Sequence, residues 1–276
     1  MKKKILLVLL GFFLISSLTY ADDTIKTTKE FRKINQKAFT IGEKLTFEIN
    51  YGFVTAGTAV LEIAPEYQMI NGRKCFDVFA NINSNASFEW VYKFTEHFKS
   101  YIDAEGIFPW RFEQTINEPN YSKIYEANFD QENLKVKISS TVKGDKKPDE
   151  EYNIQQYVHD IISAFYFART FDFTNSKEGD LYYIPYFHKN TTVSLPVKFL
   201  GRETADVSAG EFKCIMLQPN VKEGDLASKA EDIVVWVTDD AIKMPVMVKV
   251  NIIIGAVKVE LTKYSGLAGP LTSKVK

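Results

Sequence analysis

Three histidines, two cysteines and a scatter of acids are the residues with which this chain could do chemistry. His97, His159 and His188 form no HxH, HxxxH or HxxE pattern, and no cysteine stands near enough in sequence to complete a ligand set, so neither a metal nor a cofactor is assigned. His159-Asp160 is the pair a metal-dependent phosphohydrolase would carry, but such enzymes draw further ligands from other helices, and this sequence offers one helix. The plainer reading is a surface histidine beside an aspartate that caps a helix. Glu48, Glu62, Glu96, Glu113 and Glu126 fall in strand patterns, yet nothing selects two of them to stand the ~5–9 Å apart that glycoside hydrolysis needs. Ser208 sits in Val207-Ser208-Ala209-Gly210, a hairpin turn and not a strand-to-helix elbow. No glycine-rich phosphate loop occurs, and no catalytic residue is assigned. Cys75 and Cys214 lie in separate strand patterns. Export would permit a disulfide between them, and a loop that long would contribute about 4–5 kcal/mol in the chain-entropy picture. The alternative is two buried small hydrophobes.

The aromatic content, 14% of the chain, is the unusual feature. Trp90, Tyr92, Phe94 and Phe98 crowd together, with Phe108, Trp110 and Phe112 close behind, and a second group runs through Phe165, Tyr166, Phe167 and Phe171. One reading is an aromatic core between sheet and helix. A second is an apolar cavity under the helix for a lipid, an isoprenoid or another greasy ligand, with Trp90, Tyr92, Trp110, Phe165 and Tyr166 as binding candidates. A third is an aromatic platform for glycans.

The elements that would position these residues follow from periodicity. Leu45 to Tyr51 alternates strictly, and period-two patterning recurs at Thr58–Ile63, Cys75–Asn83, Phe94–Ile102, Arg111–Ile116, Lys123–Phe129 and Leu134–Val142. It resumes at Leu181–Phe187, Thr191–Leu200, Glu203–Val207, Glu211–Leu217, Ile233–Thr238, Pro245–Ile254 and Ala256–Tyr264. Asn71-Gly72 marks a hairpin turn. Between the two sets, Ile161, Ile162, Phe165 and Ala168 take helical spacing within Val158–Phe171, with Asp160 placed to cap. The fold class expected is mainly β: an antiparallel curved sheet or half-open barrel of roughly a dozen strands with one packed α-helix.

Residues 1–21 have the anatomy of a signal peptide. Lys2, Lys3 and Lys4 precede an apolar stretch, and Thr19-Tyr20-Ala21 places small residues at a cleavage point. Its removal takes three lysines and no acid and moves the formal charge from −1 to −4. Such a chain is a poor nucleic-acid binder, and the mature part carries no transmembrane segment. A lipid-facing β-barrel is disfavoured because Glu96 shares a strand face with Phe94 and Phe98. The organisation expected is a polar lead-in over 22–39, a single β-rich domain over 40–264 and a mobile tail over 265–276. The charged loop at 143–151 could divide the domain into halves.

Gly42-Glu43-Lys44-Leu45, Ala56-Gly57-Thr58-Ala59, Ser100-x-x-Asp103 with Pro109, and Asp160-x-x-Ser163-Ala164-x-Tyr166-x-x-Arg169 form an ordered set. It continues through Gly201-x-Glu203, Ala209-Gly210-x-Phe212, Trp236-x-Thr238-Asp239-Asp240, Pro245-Val246 and Gly255. This set resembles the exported bacterial domain-of-unknown-function family numbered 3108. The resemblance implies export and a β-rich single domain, and it brings no activity or catalytic residue. The Trp236 segment is also similar to periplasmic lipoprotein carriers, whose half-open barrels close over acyl chains with helices. The motif residues look structural, with Arg169 placed to pair with an acid and fix the helix against the sheet. Three functions stay open: a non-enzymatic binding or carrier protein for an apolar or envelope-derived ligand, an envelope structural module that docks a protein partner, and a hydrolase of envelope glycans.

Overall fold

Alternating side chains build nearly everything in this protein. The computed structural model describes residues 30–220, 230–252 and 255–275. The signal-peptide reading over 1–21 lies outside them, as do residues 22–29 of the lead-in. In chain order the elements are β1 (Lys44–Tyr51), β2 (Val54–Ile63), β3 (Gln68–Ile70), β4 (Arg73–Ser84), β5 (Thr95–Asp103), β6 (Pro109–Glu118), β7 (Tyr121–Asp130), β8 (Lys135–Val142), β9 (Asp145–Lys146) and β10 (Glu150–Asn153). Then come α1 (Ile161–Ala168), β11 (Leu181–His188), β12 (Thr191–Val207), β13 (Gly210–Pro219), β14 (Ala230–Thr238), β15 (Pro245–Ile252) and β16 (Ala256–Ser265). They form one sheet in the order β10-β8-β7-β6-β5-β4-β2-β1-β16-β15-β14-β13-β12-β11, with β3 on β4 and β9 on β8. Each neighbouring pair is antiparallel, as β1 with β16 and β12 with β13 illustrate.

This is the curved antiparallel sheet with one helix that the alternation implies. Sixteen strands replace roughly a dozen because β3, β9 and β10 are two to four residues long, too short to show a period. Thr191–Leu200 and Glu203–Val207 are a single strand, β12, whose register shifts between Phe199 and Gly201. Asn71 and Gly72 both take positive φ, 50° and 74°, as a tight hairpin turn requires. Gly57 lets β2 approach β4, since a Cβ there would collide with the Asn83 carbonyl oxygen.

The sheet does not close on itself, and its edges are β10 and β11. Residues 154–160 span the gap. Ile154 N–H donates to Leu134 O at 2.9 Å on one side; on the other, His159 N–H donates to Pro185 O at 2.8 Å and His159 O accepts from Phe187 N–H at 2.9 Å. Buried Gln131 steadies this strap by donating to Pro109 O and Val158 O and accepting from Tyr157 N–H. The chain then enters α1, which packs inside the curve. Its residues join three apolar clusters: Ala164 with the inner face of β11 to β14, Tyr166 with β2, β4 and β5, and Ile161 and Ile162 with β6 to β8.

Three expectations about the chain's organisation meet different facts. The described end of the lead-in is packed, with Phe31, Ala38 and Phe39 buried. The segment expected as a mobile tail is held: Ser273 N–H and Oγ–H donate to Asp240 Oδ2 at 3.2 and 2.7 Å, and Val275 N–H donates to Glu211 O at 2.8 Å. It is bound there because the β13–β14 ladder begins at Cys214, leaving backbone groups of Glu211 and Lys213 for the tail to pair with. The charged loop at 143–151 is solvated, but it lies at one edge of the sheet, where β9 and β10 pair with β8, and the sheet runs on unbroken. Among the described residues no helix is long and apolar enough to cross a membrane.

Candidate functional site

α1 is where the sequence concentrates both polar and apolar information, and its two faces do different things. Asp160 is its N-cap. The Oδ1 atom accepts from Ile162 N–H at 2.8 Å and Ser163 N–H at 2.9 Å, while Ser163 Oγ accepts from Asp160 N–H at 3.0 Å, closing a capping box. Ser100 on β5 donates to Asp160 Oδ2 at 2.8 Å, which ties the cap to the sheet. Burial pushes the Asp160 carboxyl up to about 6, against the pull of these donors.

His159 is not the surface residue that its neighbourhood in sequence suggests; it is fully buried, stacked on Phe167 at 4.6 Å. Arg32 Nη2 lies 3.3 Å from its Nε2, and Ser163 Oγ lies 3.2 Å from its Nδ1. An arginine can only donate, so Nε2 accepts and the proton sits on Nδ1. Burial, then the Arg32 charge, hold the imidazole well below its ordinary pKa and hence neutral. The guanidinium of Arg32 lies over the Tyr157 and Phe167 rings at 4.4 and 4.5 Å and donates to Gly106 O and Ile107 O, so this histidine is sealed under the lead-in. No substrate reaches it.

The other end of the helix is fixed by Arg169, 2% exposed. Its Nη1 and Nη2 donate to Glu43 Oε1 and Oε2 at 2.6 and 2.8 Å, and Nη2 also reaches Ala38 O at 2.9 Å and Ile242 O at 3.2 Å. Tyr166 donates to Glu43 Oε1 at 3.3 Å. The acid that Arg169 was expected to find is therefore Glu43, at the start of β1. Asp160, Ser163, Tyr166 and Arg169 recur every three residues, so one stripe of the helix carries all of these bonds.

The adjacent stripe, Ile161, Ala164, Phe165 and Ala168, faces a cleft. Its opposite wall is the inner face of β11 to β14: Ile184, Leu195, Val197, Leu217, Pro219, Val235 and Val237. The cleft is open to solvent and has a cavity volume of about 90 Å³, and among the described residues its charged lining residues are Arg169 and Lys243. Among the described residues no carboxylate, histidine, serine or cysteine lines it. Small Ala164 and Ala168 on the helix leave the room, and branched residues on the strands give the wall.

The five aromatic candidates separate into four places. Phe165 lines the cleft. Tyr166, adjacent in sequence, points the other way, fully buried against Phe39 at 4.8 Å. Trp110 is buried with Phe31 and Phe108, its Nε1–H donating to Asp103 Oδ2 at 3.1 Å. Trp90 and Tyr92 lie on the β4–β5 loop, and Trp90 is 85% exposed. That loop sits beside the β1–β2 turn, tied by Asn85 N–H to Ala56 O at 2.9 Å, and Phe53 there is exposed too. Cys75 and Cys214 are free thiols in different core clusters, so the disulfide left open by the sequence is not made. Burial pushes both thiols up to about 12, as expected of unreactive core residues.

Lys243 is the residue that sequence reasoning missed. Its only signal was a basic residue shortly after the Asp239-Asp240 turn. The other motif residues prove to be mutual partners: Trp236 Nε1–H donates to Glu203 Oε1 at 2.5 Å, and Thr238 Oγ1–H to Asp240 Oδ1 at 2.8 Å.

Comparison with known proteins places this geometry. A family model described as "Protein of unknown function (DUF3108)" matches residues 46–262. No curated protein matches the chain. Among solved structures, a β-barrel-like protein of the DUF1849 family from Brucella abortus is similar at 8% identity and a TM-score of 0.52, over 86% of this chain and 99% of that one. A "putative exported protein with YmcC-like fold" from Bacteroides fragilis is 10% identical over 85% of this chain and 99% of that one, with a TM-score of 0.34. A "putative lipoprotein" from Parabacteroides distasonis is 10% identical over 86% of this chain and 100% of that one, with a TM-score of 0.28. At these identities only the first likeness bears on the chain, and it shows fold alone.

Proposed function

We propose a binding function for this chain, which belongs to the DUF3108 family: it is an exported, non-enzymatic carrier that holds an apolar ligand in the cleft beside α1. One observation carries the reading. Eleven of the thirteen residues lining that cleft are apolar, and it is left unfilled beside a helix bonded at both ends. Natural cores fill such space, and an unfilled apolar cleft next to a fixed wall is what small-molecule sites look like. Export rests on the signal-peptide anatomy of residues 1–21; sequencing the N-terminus of the released protein tests it, and a mature chain starting near Asp22 is expected. For the cleft, Ala168→Phe puts a ring into the empty space. An apolar fluorescent probe should bind the natural protein and not the folded Ala168→Phe variant. Equal binding by both would refute the reading.

A second reading, an envelope module that docks a protein partner, draws on the exposed Trp90, Tyr92 and Phe53 at adjoining loops. A partner captured by the natural protein and lost with Trp90→Ala would favour it. Among the described residues the glycan-hydrolase reading has no acid pair in this cleft to work with.

A further inference from the structure

We infer that the cleft takes an anionic amphiphile: an apolar chain lies against α1 and the β11–β14 wall, and Lys243 holds a carboxylate or phosphate headgroup. The inference rests on the cleft being a ligand site and names which ligands it prefers.

The argument begins with how Lys243 is placed. The turn after β14 is bound tightly: Asp240 Oδ1 accepts from Thr238 Oγ1–H at 2.8 Å, from Ile242 N–H at 3.0 Å and from Lys243 N–H at 3.3 Å. Ile242 O accepts from Arg169, so the turn is tied to the end of the helix. Lys243 itself takes a positive φ of 44°, a conformation that costs a non-glycine residue energy unless its surroundings impose it. A lysine is thereby held at the wall of an apolar cleft.

Its ammonium has no hydrogen-bond or ion-pair partner among the described residues, although a half-buried lysine ordinarily finds one. The nearby acids are already engaged. Asp240 serves its own turn and Ser273, and Asp172 accepts from Thr174 N–H and Oγ1–H at 2.9 and 2.6 Å. Burial lowers the Lys243 pKa, an effect that the charges of Asp172 and Asp240 do not cancel. The second cation of the lining, Arg169, is neutralised by Glu43. The Lys243 ammonium is therefore a donor without an acceptor at a space whose described lining holds no carboxylate. An anionic head would satisfy it, while a wholly apolar ligand would leave it desolvated and bare.

Calorimetric titration of the full chain with dodecanoate, dodecyl phosphate and dodecanol, each kept below its micelle concentration, tests this. The natural protein should bind at least one of the two anions about tenfold more tightly than the alcohol, the effect of one charge-assisted hydrogen bond. Which anion leads identifies the headgroup as carboxylate or phosphate. Lys243→Met, which keeps most of the apolar stem, should bind all three alike, and its retained affinity for dodecanol shows that it is folded. If the natural protein binds dodecanol as well as the anions, or Lys243→Met keeps the preference, the headgroup inference is wrong and the apolar cleft stands. If none of the three binds, the cleft reading fails and takes this inference with it.

Discussion

The two stripes of α1 differ in what they have finished. The stripe of Asp160, Ser163, Tyr166 and Arg169 has bonds to β5, β1, the lead-in and the turn before β15, and every contact is buried. The stripe of Ile161, Ala164, Phe165 and Ala168, one position along, makes apolar contacts alone and lines the cleft. An eight-residue helix has little stability of its own, so the first stripe must hold it in place. The second can then stay underpacked without the helix collapsing into the cleft. Fixation on one side permits vacancy on the other.

Breaking the bonded stripe should have the largest effect. Glu43→Gln or Arg169→Met leaves a buried charge alone, and a loss of about 3–5 kcal/mol in chemical denaturation is expected. Tyr166→Ala should cost a similar ~3–5 kcal/mol through its cavity. Phe165→Ala, on the open stripe, should cost clearly less and weaken apolar-probe binding instead. Equal destabilisation by the two adjacent truncations would erase the contrast between the stripes.

The buried pair at the cap sharpens the comparison through pH. His159 is depressed below its unfolded value, so its contribution to stability is complete above about pH 6.5 and is lost as pH falls. Asp160 is raised to about 6 from 3.8, so its contribution is present below the lower value and lost as pH rises through the higher one. Between about pH 4 and 6 the two oppose each other. Asp160→Asn keeps an oxygen for the Ile162 and Ser163 N–H groups and removes the opposing titration. Its stability should therefore fall more steeply on acidification than that of the natural protein, by up to about 1.4 kcal/mol per pH unit. Parallel acid-unfolding curves for the two proteins would contradict the buried-pair description. The smallest effect belongs to Trp90→Ala, far from either stripe, where a stability change within about 0.5 kcal/mol is expected.

How much of this could be read beforehand depended on range. Strands announced themselves through alternation, and the helix and its cap through Asp160 and the spacing of Ile161, Ile162, Phe165 and Ala168. These are local signals. Arg169 visibly needed an acid, but Glu43 lies 126 residues away in sequence, and thirty-five acids offered themselves. Aromatic crowding chose Tyr166 and Phe165 together, although a helix sends neighbours to different faces. The same crowding joined Trp90 to Trp110, which stand at opposite ends of β5. The cleft's far wall comes from four strands with no shared spacing, and only the curvature of the sheet assembles it.

The most direct test is native mass spectrometry of the protein purified from an exporting host, run beside folded Ala168→Phe and compared with organic-solvent extracts of both. A stoichiometric apolar ligand on the natural protein, absent from the variant, is the result expected of an open stripe that binds. An equal ligand load on both, or none on either, would contradict it.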